Sequence, residues 1–203
     1  MLVYIGGVHG VGKTTIINYA VEIAKKENFK LEKTIGTDIL MKLAGVKTIE
    51  ELKKLPEEIR KKYRPEMNKR IYAKDREDFE TIRLCDGHFV FWEAESENYG
   101  IRETQPWDKQ QLIGIILIIA DPEDILKRRL DDNIRSRYYH TKIDDIKMEQ
   151  NLELEVAYSQ AKELEKPIEI FKNDNGKAEK IANDILQIVK LWKNSTLTYP
   201  QWT

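Results

Sequence analysis

The chain has 203 residues, 34 basic and 35 acidic side chains, a formal net charge of −1 and 41% hydrophobic residues. That balance excludes a disordered chain and a strongly basic nucleic-acid binder, and the length suits one domain with its own core. The single cysteine, Cys85, excludes an internal disulfide framework and a multi-cysteine zinc site.

No apolar run approaches the roughly 20 residues that cross a bilayer. The first residues, MLVYIGGVHG, lack the basic segment and small-residue cleavage site of a signal peptide. A cytoplasmic chain with no membrane partner is therefore expected.

In chain order, residues 2–6 read as a short buried strand and Gly7 to Gly12 as a glycine-rich turn. Lys13 to Lys26 carry Ile16, Ile17, Ala20, Val21 and Ile23 at helical spacing, and Phe29 to Ile35 read as a second strand. Asp38 to Leu55 read as two short helices parted near Gly45 and Thr48. Thr48 and Glu51 are spaced as a capping box for the second. Glu57 to Phe79 form a long charged helical region in which Pro65 predicts a break.

Thr81 to Cys85 form a strand ending at Asp86. Gly87 to Pro106 read as a long loop with an aromatic start (Phe89, Phe91, Trp92) and acidic residues Glu93, Glu95 and Glu97. Leu112 to Ala120 are the most apolar stretch and read as a central parallel strand. Asp121-Pro122 open a helix that turns Ile125, Leu126 and Leu130 inward. Ile143 to Lys166 form a long helix, Ile168 to Phe171 a last strand, Lys177 to Trp192 a closing helix and Asn194 to Thr203 a tail.

Strands alternating with helices predict an α/β fold, a doubly wound parallel sheet in three layers. One domain over 1–193 is expected, with acceptor-site helices at about 36–80, a small lid at about 128–142 and the tail from 194. Ligands in such sheets sit beyond the carboxyl ends of the strands. The Gly7–Thr14 turn, Gly36-Thr37, Asp86, Asp121 and Asn173 each follow a predicted strand, so they should meet on one edge.

Gly7 to Thr14 fit G-x-x-x-x-G-K-[ST] between a strand and a helix, the pattern of a phosphate-binding loop. Glycines let successive N–H groups of Gly7, Gly10, Val11 and Gly12 curl round an anion, and the helix start adds its positive dipole end. Lys13 supplies a charge to the phosphates, and Thr14 a hydroxyl for Mg²⁺. His9 and Thr15 are assigned to the same nucleotide, the position of His9 by itself demanding only room. No N-K-x-D guanine signature ends a strand; Asn173-Asp174 comes nearest, and Asn173 is assigned to the nucleotide side. Asp86 is placed for a Walker-B carboxylate, sharing the metal with Thr14, and can equally cap a turn. His88 can meet a substrate phosphate or serve as a plain polar loop residue; His140 is read as surface.

Arg128, Arg129, Arg135 and Arg137 make a basic cluster, and Arg128 and Arg135, seven apart, share a face if the helix persists. Guanidiniums beside a transferring phosphoryl group neutralise developing charge. The alternative is a solvated face with Asp131 paired to Arg135. Arg60, Arg64 and Arg70 offer cations to a second anion, Arg70 being assigned to the substrate. Cys85 reads as a small apolar strand residue.

Together these residues resemble a nucleoside monophosphate kinase, closest to the archaeal-type adenylate kinases. The shared features are G-V-x-G-V-G at Gly7–Gly12, G-T at Gly36-Thr37, D-x-H at Asp86–His88, Pro106-Trp107, and the stretch from Ile125 through Arg128, Arg129 and Leu130 to Arg135 and Arg137. Where the family often carries N-R, this chain has Asn151-Leu152. The resemblance implies a five-stranded sheet, ATP with Mg²⁺ as donor, AMP as acceptor and a trimer. It places Lys13 and Thr14 on the donor phosphates and metal, Arg129, Arg135 and Arg137 as lid residues near the nucleotide, and Gly36-Thr37 beside the acceptor.

The expected activity is therefore ATP-dependent phosphoryl transfer to a nucleoside monophosphate, with Lys13, Asp86, Arg129 and Arg135 as catalytic residues. Two alternatives stay open on the residues alone. One is a kinase of a small hydroxyl or nucleoside substrate with Asp86 as base. The other is a P-loop ATPase with a protein or RNA partner.

Overall fold

The computed structural model describes residues 1–78, 80–93, 98–132 and 141–198. Its strands are β1 (Leu2–Gly6), β2 (Leu31–Ile35), β3 (Ile82–Asp86), β4 (Val90–Glu93), β5 (Asn98–Ile101), β6 (Leu112–Ile119) and β7 (Ile168–Lys172). Its helices are α1 (Lys13–Lys26), α2 (Gly36–Ala44), α3 (Ile49–Lys54), α4 (Glu57–Glu77), α5 (Pro106–Gln111), α6 (Pro122–Asp131), α7 (Ile143–Leu164) and α8 (Ala178–Thr198). Five strands form one sheet in the order β2–β3–β1–β6–β7, with every pairing parallel. The expected doubly wound architecture is thus present.

Alternation along the strands builds two cores. Val3, Ile5, Ile116 and Ile118 pack with Ile16 of α1 and Ile185 of α8; Leu2, Tyr4, Ile115 and Leu117 pack with Val156 and Ala157 of α7. The two faces of each strand thus bury against different helices, which is why these strands read as continuous apolar runs. Register slips once, between the Leu2–Leu112 and Val3–Gly114 pairs. This bulge turns Gly114 toward the α8 side, where Trp192 lies; a Cβ at Gly114 would sit 2.2 Å from the indole ring.

Register also sets the site. Ile5 and Ile35 both pair with Asp86, so β1, β2 and β3 end level. The turn after Gly6, the start of α2 and Asp86 therefore share one edge.

Several expectations change. The second strand starts at Leu31, because Asn28 takes a left-handed φ of 54° and the Phe29 N–H returns to the Ala24 carbonyl, closing α1. Helix α4 runs through Pro65 without a break. Pro65 is exposed, so the hydrogen bond it cannot make leaves a carbonyl that water can solvate. The stretch Gly87–Pro106 is not a bare loop: β4 and β5 pair as an antiparallel hairpin, and Phe89 is fully buried against Tyr4, ring centroids 4.9 Å apart. Leu130 is 63% exposed rather than inward. Helix α6 ends at Asp131, and Arg135, expected to share a face with Arg128, lies outside the described residues. Helix α8 runs on to Thr198, into the expected tail. The Thr48 hydroxyl accepts from the Glu51 N–H at 3.1 Å as expected, but the Glu51 carboxylate accepts from Lys47 rather than Thr48.

Candidate active site

Between β1 and α1 the chain turns through three left-handed glycines, Gly7, Gly10 and Gly12, at φ 136°, 91° and 93°. Gly12 is doubly constrained, since a Cβ there would lie 2.4 Å from Asn173 Nδ2. Helix α1 follows with no acidic residue in its first turn, so its positive end faces the turn uncompensated. Lys13 is buried, and its ammonium donates to the carbonyls of Gly7 and Val8, the latter at 3.2 Å. An ammonium held on neutral carbonyls beside a ring of N–H groups is poised to exchange them for phosphate oxygens. Val11 is buried, Gly10 and Gly12 are half-buried, and His9, Thr14 and Thr15 are exposed.

The Thr14 hydroxyl donates to Asp86 Oδ2 at 2.9 Å, bridging α1 and the end of β3. Two residues on, the His88 ring packs against His9, centroids 4.1 Å apart, and the Tyr4 hydroxyl donates to the His88 carbonyl at 2.9 Å. Burial pushes the Tyr4 phenol well above its ordinary range, so this donor stays protonated. Gly36 and Thr37 open α2 at the level of Asp86, with Met67 and Ile71 of α4 packed near Gly36.

The basic helix grips the loop's backbone. Arg128 donates to the carbonyls of Gly10 (3.3 Å), Val11 (3.4 Å) and Asn173 (3.4 Å) and to the Asn175 side chain (2.9 Å). Arg129, 7% exposed, donates from Nε to the His9 carbonyl and from Nη2 to Glu149, both at 2.9 Å. Asn173 is buried, and its amide donates to the Val11 carbonyl at 2.6 Å. Arg128, Arg129 and Asn173 thus meet at one loop, and their hydrogen bonds brace its carbonyls.

Sequence reasoning missed the polar face of α7. Its buried residues include Ile146, Glu149, Glu153, Val156, Gln160 and Leu164, a heptad-like inward stripe with carboxylates in apolar positions. That interruption was the available signal, because a carboxylate stays inside only where donors meet it. Glu149 meets Arg129, and Gln150 takes both the N–H (3.0 Å) and the carbonyl (3.1 Å) of Ala120 at the end of β6. Glu153, 1% exposed, accepts from the N–H groups of Phe89 (3.0 Å) and Val90 (3.4 Å), lies 3.5 Å from His88 Nδ1 and feels the nearby N–H of Gly7. Desolvation pushes its carboxyl up to about 7, against the opposing pull of Lys13 and these N–H groups.

Arg70 is the assigned residue that stays apart: it is exposed and pairs with Glu66 at 3.0 Å along α4. Arg64 lies over the Phe91 ring, 4.9 Å from its centroid, joining α4 to the hairpin. Arg135, Arg137, His140, Glu95, Glu97, Tyr199, Trp202 and the side chains of Arg60 and Glu93 lie outside the described residues.

A glycine turn, its lysine and a hydroxyl–carboxylate pair at the edge of this sheet define a P-loop nucleotide-binding protein of the kinase type. The AAA domain family model matches residues 6–147, and the chain belongs to that family. It is a nucleotide kinase that stands with the archaeal adenylate kinases. It is 30% identical to the adenylate kinase of Sulfurisphaera tokodaii, over 89% of this chain and 94% of that protein. It is 27% identical to that of Methanocaldococcus jannaschii, over 93% of this chain and 98% of that one. Shikimate kinase from Acinetobacter baumannii, solved with shikimate, shares the fold at a TM-score of 0.58 and 15% identity, over 94% of this chain and 93% of its own. Among the described residues no helix is long and apolar enough to cross a membrane.

Proposed function

We propose that the protein moves the γ-phosphoryl group of ATP to a nucleoside monophosphate, AMP in particular, leaving two nucleoside diphosphates. The observation that carries this reading is the Thr14–Asp86 pair beside Lys13 at the mouth of the glycine turn. Loop N–H groups and the start of α1 receive the donor phosphates, and Lys13 leaves its carbonyl partners for their oxygens. The acceptor lies across the same edge, bordered by Gly36-Thr37 and His88. A phosphate acceptor is already an anion, so no base is required, and catalysis is positioning with charge neutralisation.

Thr14 Oγ1 and Asp86 Oδ2 are hard oxygen donors 2.9 Å apart and fit Mg²⁺ held partly through water. Bound there, the ion would neutralise charge on the phosphate oxygens. Arg128 and Arg129 keep the loop's carbonyls turned away from the anion by occupying them.

The test is transfer from radiolabelled ATP to a panel of nucleoside monophosphates, nucleosides and small hydroxyl compounds. Labelled ADP from AMP is expected, and its loss in Lys13→Ala ties the transfer to this loop. Transfer to no monophosphate at high enzyme concentration refutes the acceptor, and transfer to a hydroxyl compound alone replaces it.

A further inference from the structure

Glu153 belongs to none of the motifs that announce this site, yet it touches both halves of it. From α7 its carboxylate accepts from Phe89 and Val90, which follow the Asp86–His88 segment, and it feels the N–H of Gly7, the first residue of the glycine turn. His88 Nδ1 lies 3.5 Å from Oε1, and Lys13 is near enough to act on the carboxylate's charge. The group is 1% exposed, so water does not share these donors. A neutral side chain could accept some of the N–H groups. Only a carboxylate offers acceptor oxygens at both ends with no hydrogen of its own.

We infer that Glu153 is a positioning residue for phosphoryl transfer: its carboxylate ties the glycine turn to the loop after β3 and orients the His88 imidazole toward the acceptor. The inference rests on the phosphotransfer reading of the site. Nδ1 turned to Glu153 puts Nε2 on the opposite edge of the ring, where a hydrogen-bond donor can meet an acceptor oxygen. His9 packs against that ring at a tilt of 48°, so the imidazole lies between the turn and α7. Such outer partners fix ring orientation without touching substrate, and their removal lowers activity while the directly binding groups stay in place.

The test is Glu153→Gln, alone and combined with His88→Asn. Turnover with the acceptor found above is measured beside ATP·Mg²⁺ affinity by calorimetry. Glu153→Gln should cost about 10- to 100-fold in turnover. ATP affinity should hold or tighten, because a negative charge near Lys13 has gone. His88→Asn should show the same split, and the double variant should be no worse than the poorer single one.

Turnover within about twofold of wild type overturns the inference, as do losses that multiply in the double variant, since independent sites add their free energies. Turnover and ATP affinity falling together also overturn it, leaving Glu153 a scaffold residue. Should Glu153→Gln not fold, Glu153→Asp takes its place under the same criteria, keeping the charge but not the reach. A wild-type protein that phosphorylates nothing in the panel fails the phosphotransfer reading and this inference with it; an active wild type with an indifferent variant fails the inference alone.

Discussion

Glu153 should make this protein lose stability as the solution turns from acid to neutral, and Glu153→Gln should remove that dependence. In the folded chain the carboxyl is pushed from 4.5 up to about 7, chiefly by desolvation. The groups facing it are Lys13, His88, the Tyr4 phenol and the N–H donors of Phe89 and Val90, with the Gly7 N–H nearby. Below pH 4.5 the group is protonated in both states and costs nothing. As pH rises toward 7 the unfolded chain ionises first, and stability falls; above about 7 the loss is complete. A rise from 4.5 to about 7 corresponds to a loss of about 3 kcal/mol. Glutamine adds a pH-independent cost of roughly 1–3 kcal/mol, because its amide hydrogens face N–H donors, so the slope is the quantity to read. Urea unfolding of both proteins from pH 5 to 8, at matched m-values, measures it. The wild type should lose about 2.5 kcal/mol more than the variant over that range, part of the loss having already occurred by pH 5. Parallel stability curves would refute the reasoning.

Lys13→Ala should lower phosphoryl transfer by roughly a hundred- to a thousandfold, and a steady-state rate within tenfold of wild type would contradict the loop's role. Asp86→Asn can still accept the Thr14 hydroxyl but loses its charge, so half-maximal activity should need about tenfold more Mg²⁺, read by magnesium titration. Arg129→Met leaves Glu149 buried without its guanidinium and the His9 carbonyl without a donor, a loss of about 3–5 kcal/mol in urea unfolding; under about 1 kcal/mol would mean that the pair contributes little. Gly114→Ala drives a methyl into Trp192 and should cost about 1–3 kcal/mol, read as a lowered melting temperature.

The donor side of the site was legible because its chemistry is local. Gly7 to Thr14 are contiguous, and glycine conformation, helix start and lysine need no distant partner. The central strands β1 and β6 were legible for a related reason: burial on both faces demands apolar residues at nearly every position. Where reading went astray, a long-range contact overrode local preference. Phe89 reads as part of an aromatic loop but is core, because Tyr4 waits for it on β1. Arg129, read as a charge for phosphate, also meets Glu149, twenty positions on, and the His9 carbonyl, contacts that no local pattern announces. Glu153 was invisible for the same reason. A lone carboxylate in a charged helix acquires meaning only when the Gly7 and Phe89 amides, far apart in the chain, are brought to it. Local patterns could thus settle the fold class and mark the glycine turn at the end of β1. Which charges are buried, and against what, was decided by packing, since desolvation and pairing depend on neighbours that sequence separation hides.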